Sequence, residues 1–383
     1  FILFLLWALN IIPPYFSITF LIYIGIYFLN STKTKESFKR ILEVEEELGR
    51  FYKIFNFLEN YNFGKNKHAE KFCSTFKNKK NSPGFYFKQL NRINTAFAFQ
   101  QNPLTAITLN FVFPWNYFFA AKLEKLKYSL SEKIDEWLSL FYELEAINSI
   151  ATFASLNPEY IFPSFIKVEN NFSLNAENIA HPLIPYDNSV KNNFSLDGKN
   201  KVCIVTGSNM SGKSTFIKCL GANIVIANAG GPANASKMSF TSIRLFSCIK
   251  ISDSVTDGIS YFYAEVKRLK MLLDNLKLNN NVPVFYLIDE IFKGTNNRER
   301  LEGSRSYINE IIKLNGSGLI TTHDLELTSL ENKGRIFNYH FREEASEGKM
   351  IFDYKLREGP CPTTNALKIM KMEGLPVNLN LKH

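Results

Sequence analysis

The chain opens on an apolar run: residues 1–29 include no Asp, Glu, Lys, Arg or His. That exceeds the ~20 residues needed to cross a ~30 Å hydrocarbon core. Pro13 and Pro14 interrupt the run, and adjacent prolines break a helix. The pattern therefore predicts the end of one membrane helix over 1–12, a turn across 10–14 and a second, short membrane helix over 15–29. Lys33, Lys35, Lys39 and Arg40 follow at once, the flank expected on the cytoplasmic side. A secretory signal fits poorly, because there is no basic leading region and no A-x-A-like site. The competing reading is a buried helical hairpin.

Residues 31–158 carry helical periodicity. Ile41, Val44, Leu48, Phe51, Ile54, Phe55 and Leu58 recur at spacings of three and four. A turn is expected at Asn81-Ser82-Pro83-Gly84, with further breaks at Pro103 and Pro114. A long helix is predicted over 115–155, with Leu123, Leu126, Leu130, Ile134, Leu138, Phe141, Leu144 and Ile147 as its apolar stripe. From about Phe165 the texture changes to short apolar runs alternating with helices. Residues 202–205 and 284–288 are continuously apolar, which suits strands buried on both faces of a sheet, and 319–322 looks like another. This predicts an α/β domain over 159–383, preceded by an all-α helical domain over 31–158 and a membrane hairpin over 1–30.

Composition changes this picture little. A chain of 383 residues with 45% hydrophobic content has room for two or three domains with real cores, which excludes wholesale disorder. It begins with Phe rather than Met, so further sequence is expected upstream. Five cysteines without C-x-x-C spacing point away from a disulfide framework or zinc site and towards a reducing compartment.

The net charge of +9 favours an anionic partner. Most of that surplus falls between Lys65 and Arg92, where Lys65, Lys67, Lys71, Lys77, Lys79, Lys80, Lys88 and Arg92 face a single acid, Glu70. Phe72, Phe76, Phe85, Tyr86 and Phe87 are interleaved with them. Two arrangements fit: a solvated helix face above core aromatics, which is the commoner, and a nucleic-acid surface using Lys65, Lys67, Lys71, Lys77, Lys79 and Lys80.

Gly207-Ser208-Asn209-Met210-Ser211-Gly212-Lys213-Ser214-Thr215 fits G-x-x-x-x-G-K-[ST], between an expected strand and an apolar helix. In such a loop the glycines let backbone N–H groups close around phosphate oxygens at a helix N-terminus. Lys213 is placed for the β- and γ-phosphates of ATP and Ser214 for Mg²⁺. Asp289 and Glu290 end the apolar run 284–288. There Asp289 can hold Mg²⁺ through water, and Glu290 can polarise an attacking water. His323, after another expected strand, stands where a γ-phosphate sensor would sit.

These motifs resemble the MutS mismatch-repair ATPases. The loop with Asn209-Met210 inside it carries the resemblance, as do Asp289-Glu290-Ile291-Phe292-Lys293-Gly294-Thr295-Asn296-Asn297 and Thr321-Thr322-His323-Asp324-Leu325-Glu326-Leu327-Thr328. His181-Pro182 is similar to the family's element near the nucleotide, and Gly258-Ile259-Ser260-Tyr261-Phe262-Tyr263-Ala264-Glu265 to its G-x-S-x-F-x-x-E signature. The likeness runs from about Asn178 to Leu375, and more weakly through Glu143 to Ala151, similar to the end of the family's lever helices.

The resemblance implies an ABC-class P-loop fold working as a homodimer with composite sites. Ser260 of one protomer would then act in trans on the γ-phosphate held by Lys213 of the other. Asn209 and Met210 would order the loop, and His181 and Tyr354 would lie at the nucleotide. Pro360 and Pro362 depart from many relatives within the C-terminal segment that would fold back on the site. A mismatch-reading domain with its F-x-E motif is not visible in these residues.

The expected function is thus a membrane-anchored, MutS-like, DNA-linked ATPase with its ATPase domain in the cytoplasm. Mismatched or structured DNA would be its partner, and a MutL-like partner is left open. The alternative is a membrane-complex motor that never touches DNA.

Overall fold

The computed structural model describes residues 2–11, 13–14, 17–18, 21–22, 25, 49, 51–78, 81–99, 102, 105, 108–110, 113–167, 171–208, 210–249, 261–278, 282–330, 334–346, 349–362 and 376. It divides into two compact units, Phe1–Ile147 and Asn148–His383.

The first unit is helical. It contains α1 (Ile2–Ala8), helical residues 51–60, α2 (Lys67–Phe72), α3 (Ser74–Lys77), α4 (Pro83–Ala98) and most of α5 (Trp115–Leu156). Helix α4 starts where the sequence supplies a cap. The Ser82 side chain accepts from Phe85 N at 3.2 Å and Pro83 takes the first position, where its missing N–H costs nothing. The core is aromatic: Phe55 stacks on Phe76 at 5.5 Å and meets Trp137 edge-on at 6.1 Å. Leu123, Leu126 and Trp137 are the buried residues of α5, so the indole takes a core place outside the expected leucine stripe, whose Ile147 is exposed.

Two expectations meet this unit directly. Among the described residues no helix is long and apolar enough to cross a membrane. Helix α1 stops at Ala8, because Asn10 turns the chain with a φ of 57° ahead of Pro13-Pro14. The second expected span, 15–29, falls mainly outside the described residues. In the basic stretch, Phe76 and Tyr86 are buried and Phe72 packs against the core, while Phe87 stacks on Tyr52 at 4.0 Å. Lys65, Lys67 and Lys71 are exposed and Lys77 lies over the Phe63 ring; Lys79 and Lys80 lie outside the described residues.

The second unit is built on a six-stranded sheet ordered β12-β9-β4-β8-β7-β6. Its strands are β4 (Val202–Thr206), β6 (Arg244–Cys248), β7 (Val284–Ile288), β8 (Gly316–Thr321), β9 (Ile336–His340) and β12 (Arg357–Glu358). All neighbours are parallel except β12, which runs antiparallel to β9. Cys203, Val205, Phe285, Leu287 and Leu319 point into one apolar layer. Val202, Ile204, Val284, Tyr286 and Ile320 point into the other. Burial on both faces is why these strands read as unbroken apolar runs instead of alternating ones.

Helix α6 (Lys213–Asn228) packs in the first layer, and α7 (Tyr261–Lys277) and α8 (Asn297–Ile311) in the second. A smaller sheet ordered β1-β5-β2-β3 supplies Leu174, Phe194 and Phe240 to the first layer. It comprises β1 (Ser164–Ile166), β2 (Ser173–Ile179), β3 (Asn192–Asp197) and β5 (Lys237–Thr241). The hairpin β10 (Glu343–Ser346) and β11 (Lys349–Phe352) stands apart from both sheets. The α/β prediction for this region agrees with these mixed sheets. Cys73 of the first unit and Cys203, Cys219 and Cys248 of the second are buried thiols outside any disulfide.

Candidate nucleotide site

The site forms where β4 ends and α6 begins, the usual ligand position at the carboxyl ends of parallel strands. Gly207 and Gly212 adopt φ of 146° and 109°. A Cβ on Gly207 would lie 2.6 Å from Phe341 O and 2.8 Å from Ser211 Oγ. A side chain is thus excluded there by contact and conformation together. Met210 turns the loop tip at φ 70° and is exposed, while Asn209 lies outside the described residues.

Lys213 is buried, and its ammonium donates to Gly207 O at 2.8 Å and Ser208 O at 2.7 Å. Burial lowers its pKa to about 8, with Glu290, Asp289 and Glu343 pulling it back up. Ser211 Oγ donates to Ser208 O, and Ser208 Oγ to Glu343 Oε2, so the loop is tied at both shoulders. A glycine loop at a helix N-terminus has the character of an anion cradle.

Across from it, the end of β7 presents Asp289 and Glu290. Asp289 Oδ1 accepts from Ser214 Oγ at 3.0 Å and from Thr321 Oγ1 at 2.7 Å. Thr321 Oγ1 in turn accepts from Glu290 N at 2.9 Å. Glu290 has a φ of 54°. Its Oε1 meets His323 Nε2 at 2.6 Å and its Oε2 forms a close ion pair with Lys293 Nζ. Burial pushes the Glu290 pKa up, but the bonds from Lys293 and His323 outweigh it and hold the carboxylate below its ordinary value. Arg300 grips Asp324, the neighbour of His323, with two hydrogen bonds.

A cavity of about 480 Å³ extends from this cluster, within the range of small-molecule sites. Lys213, Ser214 and Glu290 are among its polar lining, and Ile184, Val190, Phe341 and Tyr354 are among its apolar lining. His181 also lines it, accepting from Leu183 N at 3.2 Å through Nδ1. Burial, helped by the charge of Lys218, lowers the His181 pKa. The turn at His181-Pro182 is fastened from behind. Asn223 of α6 donates to Ala180 O and accepts from Asn234 N, and Tyr160 OH donates to Pro182 O.

Tyr354, at φ 53°, packs against Gly212. Asn192 of β3 holds it there: Nδ2 donates to Tyr354 O at 3.0 Å and Oδ1 accepts from Leu356 N at 2.8 Å.

The structure thus brings together His181, Ser208, Met210, Gly212, Lys213, Ser214, Thr215, Glu290 and Tyr354 around one cavity, with Asp289 and His323 in contact with that set. Ser260 lies outside the described residues. The candidate lysines of the basic stretch belong to the other unit. Sequence reasoning did not single out Thr321, Lys293 or Asn192 as site residues. Thr321 had a signal, since it ends a buried strand two residues before His323.

The donor set also suits Mg²⁺. A hydroxyl and a carboxylate 3.0 Å apart beside a phosphate cradle are hard oxygen ligands. Among the described residues there is no group of three or more His, Cys, Asp or Glu able to hold a metal. Further ligands to such an ion would come from phosphate oxygens and water.

Residues 203–381 match the family model of MutS domain V, a P-loop ATPase domain. The chain is 28% identical over 253 residues to the DNA mismatch repair protein MutS of Aquifex pyrophilus, covering 64% of this chain and 28% of that protein. It is 25% identical over 254 residues to MutS of Staphylococcus haemolyticus, with the same two shares. With MutS of Halothermothrix orenii it shares 28% identity over 188 residues, covering 48% of this chain and 20% of the relative. The chain therefore matches less than a third of the length of these relatives. From β4 onward the chain is thus similar to MutS domain V.

Proposed function

We propose that this chain is a Mg²⁺-dependent ATPase of the MutS type, working as a homodimer and coupling its ATP cycle to recognition of mismatched or structured DNA. The observation that carries the ATPase reading is the continuous chain of contacts Ser214–Asp289–Thr321–Glu290–His323 beside a buried Lys213.

In this reading the loop amides and Lys213 bind the phosphates, and the cavity wall of Ile184, Val190 and Tyr354 takes the base. Ser214 and Asp289 would hold Mg²⁺, which supplies charge neutralisation on the phosphate oxygens. Glu290, kept ionised by its partners, accepts the proton of an attacking water, while His323 orients that carboxylate from its Oε1 side.

The test is ATP turnover and binding in three proteins. Wild type should hydrolyse ATP only with Mg²⁺. Lys213→Ala should lose affinity, because the charge facing the phosphates is gone. Glu290→Ala should bind ATP and turn over about 10²–10⁴-fold more slowly. Full turnover in Glu290→Ala would overturn the base assignment.

A second reading, an ATPase motor that does not touch DNA, is favoured by one observation. Three of the five aromatics of the basic stretch that would stack on bases are committed to the core: Phe76 and Tyr86 are buried and Phe72 packs against them, while Phe85 is exposed. Membrane attachment through residues 1–29 is part of both readings and rests on the sequence, supported by the exposed Phe4, Leu9 and Ile11. A chain starting at Ser31 should then stay in solution while the longer chain partitions into detergent. Full solubility of the longer chain without detergent would remove the membrane from both readings.

A further inference from the structure

The turn that follows Glu290 is held from below by a residue the mechanism above does not use. Residues 291–294 form this turn, and Glu290 and Phe292 both have left-handed backbone, φ 54° and 56°. Two non-glycine residues in that region, two positions apart, persist only where their surroundings over-determine them. On one side the restraint is Thr321, which accepts from Glu290 N. On the other it is Glu265 of α7, whose Oε1 accepts from Phe292 N at 2.5 Å.

Glu265 is 2% exposed. Burial raises its pKa, and the amides of Phe292, Lys293 and Gly294 pull it back down. Its Oε2 has no hydrogen-bond partner among the described residues. A buried carboxylate is an expensive way to fill space, since an apolar residue of that size would avoid the desolvation. Its return is geometric. It fixes the amide two residues after Glu290, while Ile291 between them is buried and Phe292 packs edge-on against Tyr307.

We propose that Glu265 is the positioning residue for Glu290: it pins the left-handed turn after β7 and so aims the Glu290 carboxylate at the nucleotide cavity. The proposal rests on the ATPase reading, and its test separates the two. Glu265→Ala removes the acceptor, and Glu265→Gln keeps the size and one carbonyl oxygen.

Three quantities are measured on the full chain: amide hydrogen exchange of a peptide covering residues 289–296, ATP affinity and kcat. For Glu265→Ala we expect exchange at Phe292 to quicken at least about tenfold while strand β7 is unchanged. ATP affinity should stay within about twofold, and kcat should fall about 10–100-fold, the scale of a misplaced catalytic group. Glu265→Gln should be intermediate in both exchange and kcat, and carries the test if the alanine variant does not fold. Unchanged exchange at Phe292 overturns the proposal, and so does unchanged kcat or a parallel loss of kcat and ATP affinity. If wild type binds ATP without hydrolysing it, the ATPase reading fails instead, and the exchange result alone decides whether Glu265 holds the turn.

Discussion

Thr321 and Asp289 meet through one hydroxyl that works in both directions: Thr321 Oγ1 donates to Asp289 Oδ1 at 2.7 Å while accepting from Glu290 N at 2.9 Å. Thr321 is fully buried at the end of β8, so neither bond is replaced by bulk water if the hydroxyl is lost. The side chain therefore sets the relative position of the carboxylate placed for the metal and the residue placed for the water.

Thr321→Val keeps the shape and deletes both bonds. Leaving Glu290 N unpaired and Asp289 short of a donor should cost about 1–3 kcal/mol of stability. It should also lower kcat for ATP more than Thr321→Ser, which retains the hydroxyl. Denaturant midpoints and turnover of the two variants check this. Equal turnover in both would show that the hydroxyl is not what orients the pair.

Gly318 carries a prediction about the sheet itself. A Cβ there would lie 2.1 Å from Tyr286 O and 2.3 Å from Tyr286 Cδ2. Tyr286 is fully buried on the adjacent strand and its ring fills the space over the glycine. Gly318→Ala should destabilise the second unit by more than the roughly 1–3 kcal/mol of ordinary overpacking, because backbone must move as well as side chain. Thermal unfolding of the variant tests this; a midpoint within a degree of wild type would contradict it.

The same glycine shows what the sequence made legible. Strands β4 and β7 fall where the apolar runs 202–205 and 284–288 stand, since continuous burial leaves a continuous signal. Strand β8 begins at Gly316, three residues before its apolar part, because Gly-Ser-Gly reads as a turn unless Tyr286 is known to lie beside it. In α5 the leucine spacing was visible but not which turn faces the core, and Trp137 took the buried place. The phosphate loop and Asp289-Glu290 were legible as local motifs. Thr321, Lys293 and Glu265 stood inside the family-like motifs without a legible role, and Asn192 stood outside them; the partners of Thr321, Glu265 and Asn192 lie 27 to 162 residues away, and only the fold brings them near.

The basic stretch separates the two functional readings. Lys65, Lys67 and Lys71 are exposed, so they can meet phosphates even though Phe76 and Tyr86 of the same stretch are buried. If they contact duplex DNA, each Lys→Gln change should reduce the slope of log affinity against log salt by about 0.9. A triple variant that binds with an unchanged slope would assign these lysines to a solvated face and favour the motor that does not touch DNA.

Catalysis is expected to need two protomers. Lys213, Ser214, Glu290, Tyr354 and His181 of one chain line the same cavity. Transition-state charge on the outer face of a γ-phosphate needs a preorganised donor, and removing such a donor typically costs about 2.7–4 kcal/mol. Ser260 lies outside the described residues, but it directly precedes α7, which begins at Tyr261. A hydroxyl at a helix start, together with the helix N-terminus, has the character of that donor. The simpler role for it is to cap its own helix. Mixing separates these roles. Neither Ser260→Ala nor Lys213→Ala homodimers should turn over, whereas a mixed dimer regains one complete site from its two unmutated halves. A one-to-one mixture should therefore recover about a quarter of wild-type turnover, since about half of the dimers are mixed and each holds one working site of two. No recovery, with dimerisation confirmed by sedimentation, would place Ser260 in cis or outside the chemistry.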